Sequence, residues 1–139
     1  MEEAQKTRGG TEMFKRFEDL DVWKTGRFVV NKVYEITAKG EFFKDFVLKD
    51  QMRGAAISII SNIGEGFERD GDSEHKQFLS YAKGSAGEVR SQLYVALDRE
   101  YITREEFDET YDLPVRESRM LSGFIQYIKN SGVGGRKYK

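Results

Sequence analysis

The 139-residue sequence contains no cysteine. That excludes a disulfide framework, thiolate metal ligands and a cysteine nucleophile. It contains one histidine, His75, with no glutamate three residues before it, so the paired Glu-x-x-His motifs of a di-iron bundle site are missing. A lone histidine near a helix start is also a poor basis for a serine–histidine pair. The single proline, Pro114, leaves most of the chain free to form long helices. No apolar run approaches the ~18–20 residues needed to cross a bilayer. The opening stretch MEEAQKTRGGTEMFKR has no apolar core of a signal peptide, so a cytoplasmic protein without membrane contact is expected. Neither charge sign dominates: 23 Lys and Arg stand against 24 Asp and Glu. Nucleic acid or an anionic surface could be bound only through a local patch. There is no internal repeat and no alternating run bounded by hairpin turns. The glycines of GEG (64–66) and GVGG (132–135) are not phosphate loops, because neither follows a strand or carries the required lysine.

What the sequence does have is an uncharged stretch in a chain where 34% of residues are charged: no residue from Gly54 through Gly64 carries a charge. At 100° per residue, Leu48, Met52, Ala55, Ala56, Ile59, Ile63 and Gly66 share one face. The spacing predicts a helix from Leu48 to Arg69, buried on more than one side by other helices or another subunit. Ile57 and Ile60 lie on one flank, and Gln51, Ser58, Asn62 and Glu65 on the other.

Three further helices are expected. The first starts near Asp19 or Asp21 as cap, presents Trp23, Val30, Val33 and Tyr34 to the core with Phe28 and Ile36 beside them, and ends at Gly40. The link from Glu41 to Val47 holds Phe42, Phe43 and Phe46, read as a core plug over one end. The third helix begins at Asp72 or Ser73 and runs to about Arg99, with Phe78, Leu79, Ala82, Ser85, Ala86, Val89, Leu93, Ala96 and Leu97 inward. Its run Gly84-Ser85-Ala86-Gly87 is small enough to admit another helix, near Ile59 and Ile63. The fourth opens on the capping box Thr103 to Glu106, continues through Phe107, Tyr111, Met120, Leu121, Phe124 and Ile128, and is expected to kink near Pro114. Short links between four helices predict an all-α, up-down-up-down antiparallel four-helix bundle over 17–131. Residues 1–16 and the basic tail 132–139 are expected to be disordered.

Candidate functional residues fall in three groups. Lys76, Lys83 and Arg90 recur every seven residues on the third helix, with Tyr94 and Tyr101 continuing the flank. Cations and aromatics in line can follow a phosphate backbone and stack bases, and Lys24 and Arg27 would join them if the first helix lay alongside. Ile57, Ile60, Ser58, Asn62 and Glu65 are candidates for an oligomer interface. Glu65 and Glu88, in weakly charged surroundings, could share a proton or bind a cation if close together; otherwise Glu88, like Trp23, Gly66 and Ser85, is structural. No catalytic residue, metal ligand or cofactor site is assigned, and a non-enzymatic protein is expected.

The segments FEDLDVWK (17–24), QMRGAAISI (51–59), SNIGEG (61–66), FL (78–79) and AKGSAGE (82–88), in this order and spacing, resemble the bacterial 23S ribosomal RNA intervening-sequence proteins, a four-helix-bundle family. That group includes the accessory variability determinant of diversity-generating retroelements. The resemblance implies a bundle assembling into a ring-like homopentamer, no catalytic residues and, for the retroelement members, binding to a reverse transcriptase and to RNA or DNA. Asn62, Glu65 and Gly66 match family positions and read as structural. The chain departs from the family at Gly54, where many members have arginine, and at Gly64, where many have alanine.

Overall fold

A computed structural model describes residues 14–131. A 3-10 turn, Phe17–Asp19, leads into α1, Asp21–Thr37. The short α2, Gly40–Lys44, precedes α3, Phe46–Glu68; α4 is Asp72–Asp98 and α5 is Arg104–Ser131. There is no strand among the described residues.

The helix ends follow local chemistry, partly other than expected. The carboxylate of Asp45 accepts the Leu48 N–H at 3.0 Å, so α3 starts two residues before the apolar pattern does. Neither Asp19 nor Asp21 caps α1. Leu20 is its N-cap, and the Leu20 carbonyl accepts from Trp23 and Lys24 at 3.1 Å each. Gly40 does not close α1, which ends at Thr37; with φ +53° it opens α2 instead. Gly71, at φ +96°, makes the turn before α4, and neither Asp72 nor Ser73 acts as a side-chain cap. The capping box of α5 is present: Glu106 Oε1 accepts the Thr103 N–H at 2.8 Å and Thr103 Oγ1 accepts the Glu106 N–H at 3.0 Å. Pro114 does not interrupt α5, which is continuous through it.

Each long helix packs along its neighbours in sequence, and α1 closes the square against α5. All four seams are antiparallel, because contact partners fall in number along one helix as they rise along the other. Across α3–α4, Gly66 meets His75 and Phe78 near the turn, while Ser58 meets Ser85 further away. Across α4–α5, Tyr94 meets Phe107, and His75 meets Phe124. Across α1–α5, Gly26 meets Glu117, Lys32 meets Glu109 and Lys39 meets Glu106. Across α1–α3, Gly26 meets Ile59 and Ile60, and Thr37 meets Arg53. The expected up-down-up-down order follows.

All seven residues assigned to the inner face of α3 are buried. On α4, Leu79, Ala82, Ala86, Val89, Leu93 and Ala96 are buried, with Phe78, Ser85 and Leu97 at the rim. The small run on α4 does not admit a helix of this chain at its glycines: a Cβ at Gly84 or Gly87 would meet nothing within 4 Å. In α1 the core is Val22, Gly26, Val29, Val33 and Ile36; Trp23 and Val30, expected there, are only half-buried, and Phe28 and Tyr34 point outward. Of the three link phenylalanines only Phe42 is a plug, stacked on Tyr101 with ring centroids 5.1 Å apart. Phe43 and Phe46 are 45% and 62% exposed.

Two glycines of α3, two residues apart, should respond oppositely to alanine. At Gly64 a Cβ would lie 3.6 Å from the Phe17 ring, an ordinary contact, so Gly64→Ala should stabilise by about 1 kcal/mol through helix propensity. At Gly66 it would lie 2.7 Å from Phe78 Cβ, so Gly66→Ala should destabilise by roughly 2 kcal/mol. Urea unfolding of both variants measures the difference.

Candidate functional site

Two outer seams carry the residues singled out in the sequence, and they differ in chemistry. On the α3–α4 seam, Ser85 Oγ donates to Ser58 Oγ at 3.0 Å, and Asn62 Nδ2 donates to the Ser58 carbonyl at 2.8 Å and to its Oγ at 3.0 Å. Ser58, Asn62 and Ser85 are thus joined in one half-buried network that fixes the register of the two helices. Ile57 stands outside it, 39% exposed. Ile60 does not share that open flank: it turns under α1, where its Cγ2 lies 2.8 Å from the place a Cβ of Gly26 would take. Around Ile57 the outer face continues with exposed Gly54 and Ser61 from α3 and exposed Tyr81, Gly84 and Val95 from α4. Glu65 pairs with Arg69 at 2.8 Å, one turn away on the same helix. The antiparallel register places Glu65 level with Phe78 and Glu88 level with Ala55, on the order of 15 Å apart along the seam at 1.5 Å per residue. The two carboxylates are not brought together.

The α4–α5 seam carries the basic stripe. Lys76, Lys83 and Arg90 lie on its α4 side, and none forms an ion pair among the described residues. Lys83 is exposed; Lys76 and Arg90 are half-buried, and the Arg90 Nε is buried without a hydrogen-bond partner. Tyr94 packs over Phe107 and Tyr111 at centroid distances of 4.9 and 5.5 Å, and hydrogen bonding with Tyr111 pushes its phenol above the usual range. From Tyr111, the same face of α5 passes through Ser118, Ser122, Ile125 and Lys129, at helical intervals of seven, eleven, fourteen and eighteen. No carboxylate falls in that series.

Two expected members of the stripe lie elsewhere. Tyr101 follows the end of α4 instead of continuing its flank; its hydroxyl donates to Asp45 Oδ2 at 2.8 Å, at the opposite side of the fold. The Leu48 N–H and then this phenol hold the Asp45 carboxyl below the usual carboxylate range, and the same bond pushes the Tyr101 phenol up. Lys24 and Arg27 lie on α1, which stands diagonally opposite α4 and packs on α3 and α5. Arg27 sits over the Trp23 ring at 5.8 Å. Trp23 and Phe17 line a groove of about 550 Å³ with Ile60, Ser61, Gly64 and the Glu65–Arg69 pair.

Two charged groups are buried where no apolar period places them. Lys49 is only 6% exposed, and its Nζ lies 3.9 Å from the Phe43 ring centre and 4.5 Å from that of Phe46. The two phenylalanines assigned to the core are instead a clamp on a cation. The second group is Glu117, fully buried in α5, with neither carboxylate oxygen hydrogen-bonded. Burial pushes its carboxyl up to about 8. Thr110, about two turns before it on the same face and also buried, has no partner for its hydroxyl. The signal for Thr110 and Glu117 is spacing: Phe107, Pro114, Leu121 and Ile128 recur every seven residues, and Thr110, Glu117 and Phe124 follow three places after the first three of them. No group of three or more His, Cys, Asp or Glu side chains able to hold a metal ion occurs among the described residues. No helix among them is long and apolar enough to cross a membrane.

The family model of the 23S rRNA-intervening sequence protein matches residues 18–123. The chain belongs to this family. A solved structure from Bacteroides thetaiotaomicron, described as a protein with unknown function from the S23 ribosomal protein family, superposes with a TM-score of 0.70 at 22% identity. The match covers 76% of this chain and 98% of that one, and shows a shared fold. No functionally curated protein matches.

The buried carboxyl of this family member makes stability depend on pH. Its pKa in the folded state, about 8, lies above its ordinary value of 4.5, so between these pH values the folded chain holds a proton that the unfolded chain has lost. This contribution is complete below pH 4.5 and declines by about 1.4 kcal/mol per pH unit until it is lost above pH 8. Thermal melts from pH 5.5 to 8 should show the wild-type Tm falling more steeply than that of Glu117→Gln, by roughly 4 °C per pH unit. Parallel curves would contradict the burial of an unpaired carboxyl.

Proposed function

We propose that this protein is a non-enzymatic homo-oligomeric scaffold that assembles through the outer face of α3 and α4. One observation carries the reading. The exposed strip of Gly54, Ile57, Ser61, Tyr81, Gly84 and Val95 carries one charge, Glu88 between Tyr81 and Val95, in a highly charged protein, and two of its members are bare glycines with open space around them. Small residues let a second helix pair approach closely, and exposed Ile57, Tyr81 and Val95 supply apolar area. Membership in the family supports a ring of five such copies. The Glu65–Arg69 ion pair supports a structural role for Glu65, and the separation of Glu65 from Glu88 argues against a proton or cation shared between them. Ile57→Glu places a charge in the strip without entering the bundle core. Its mass by light scattering should fall to that of a single chain while far-UV circular dichroism is unchanged. An unchanged mass would move the interface off this strip.

A second reading has its own support. Lys76, Lys83 and Arg90 are unpaired cations on a seam that continues through hydroxyls to Lys129, which suits a nucleic-acid backbone, with a reverse transcriptase as a protein partner for such an accessory factor. Repetition around a ring would raise avidity. Binding of a structured RNA and a matched DNA across a salt series tests this. Lys83→Glu should reduce the slope of log affinity against log salt by about 0.7–0.9. An unchanged slope would remove Lys83 from the contact.

A further inference from the structure

The middle layer of the bundle holds a polar group with no protein partner. Glu117 reaches from α5 toward α1 at a place where α1 has no side chain: a Cβ on Gly26 would lie 3.0 Å from Glu117 Oε2 and 2.8 and 3.2 Å from the Cγ2 atoms of Ile60 and Ile59. The carboxyl therefore occupies a notch walled by α1 backbone and by two isoleucines of α3. Such a wall accommodates a neutral acid and offers nothing to a carboxylate.

No surrounding charge compensates it. On α1, Lys32 is paired with Glu35 and Glu109, Arg27 lies over Trp23, and Lys24 does not donate to the carboxyl, whose oxygens both lack a partner. On α3, Glu65 is taken by Arg69, and Arg53 donates to Thr37 Oγ1. On α4, Lys83 is exposed, Arg90 leaves its Nε without a partner, and His75 sits between Phe67 and Phe124. On α5 itself Arg116 pairs with Asp112, and Glu109 with Lys32. Burial alone accounts for the raised pKa, with no charged neighbour contributing.

We propose that Glu117 is a proton-controlled latch for α1: α1 closes on the bundle while the carboxyl carries its proton, and loss of that proton releases α1 from α3 and α5. The release is assigned to α1 because the α3–α4 and α4–α5 seams are more extensive than either seam of α1. Only the α1 wall of the site lacks a side chain to rearrange, so moving this helix away is the direct route for water to reach the carboxylate. Opening uncovers the Ile59–Ile60 flank of α3, adjoining the Trp23 groove, so the protonation state would set which apolar surface is presented.

Hydrogen exchange of the full-length protein, read by mass spectrometry from pH 6 to 8 and corrected for the intrinsic pH dependence of amide exchange, tests the latch. Protection of peptides from 21–37 should fall by close to tenfold per pH unit in wild type and stay flat in Glu117→Gln. Glu117→Leu is a second proton-silent variant, for use if the glutamine protein does not fold. The same pH dependence in wild type and the proton-silent variant would overturn the proposal. So would protection of 21–37 no lower than that of α3, α4 and α5, since α1 would then open only when the whole chain unfolds.

Discussion

Helix α3 must lie close to two neighbours at once, and glycine makes both approaches. On one side α1 supplies Gly26, over which Ile59 and Ile60 fit; on the other α3 supplies Gly66, over which Phe78 and His75 of α4 fit. At each crossing the missing Cβ lets the partner's side chain reach the helix backbone, so the large residues Met52, Ile59 and Ile63 are fully buried without strain at the crossing points. The alanines of α3 and α4, Ala55, Ala56, Ala82 and Ala86, extend the same close contact along the seam. A bundle of these proportions leaves no room in its interior for a second layer of long side chains, which is why a single carboxyl there meets only hydrocarbon and backbone.

With the interior committed to close packing, the four outer seams have diverged in chemistry. The α1–α5 seam is bridged by exposed ion pairs, Lys32–Glu109 and Lys39–Glu106, each of small energetic weight. Along α1–α3 the cations lie on rings: Arg27 on Trp23, Arg53 on Tyr34 at 4.2 Å, and Lys49 between Phe43 and Phe46. The α3–α4 seam is joined by serine and asparagine, with the Glu65–Arg69 pair and Glu88 at its outer edge, while α4–α5 carries cations that no carboxylate neutralises. A chain of almost zero net charge thus has faces of quite different character, and the average conceals this.

How legible the fold was depended on whether apolar side chains carried the signal. For α3 they did: uncharged neighbours and a clean 3.6-residue period marked seven buried positions from Leu48 to Gly66, and missed only Lys49 and Gly64. For α5 they misled. Met120 and Phe124 were apolar enough to be taken for core but are only half-buried, whereas Thr110, Pro114 and Glu117, which no hydrophobicity pattern selects, are buried beside Leu121. Only the seven-residue recurrence of Phe107, Pro114, Leu121 and Ile128 marks them. Phe28, Tyr34, Phe43 and Phe46 failed in the opposite direction, since aromatic rings covering a cation or an outer rim look the same in sequence as rings filling a core. Of the site residues, Lys76, Lys83 and Arg90 share a seam as their spacing required, but Tyr101 left it because the helix stopped at Asp98, and Lys24 and Arg27 depended on a helix adjacency that sequence periodicity does not encode.

The contact of Phe14 with Phe124, ring centroids 6.4 Å apart, gives the bundle a polarity. It ties the beginning of the described chain to the last turns of α5, at the pole that also holds the Arg69–Gly71 turn. The opposite pole is closed by Phe42, Tyr101 and Asp45, where both remaining links cross. Both ends of the described chain therefore leave from one pole. A linker joining residues 14 and 131 would therefore allow the chain to be reopened between α4 and α5 with all four seams retained.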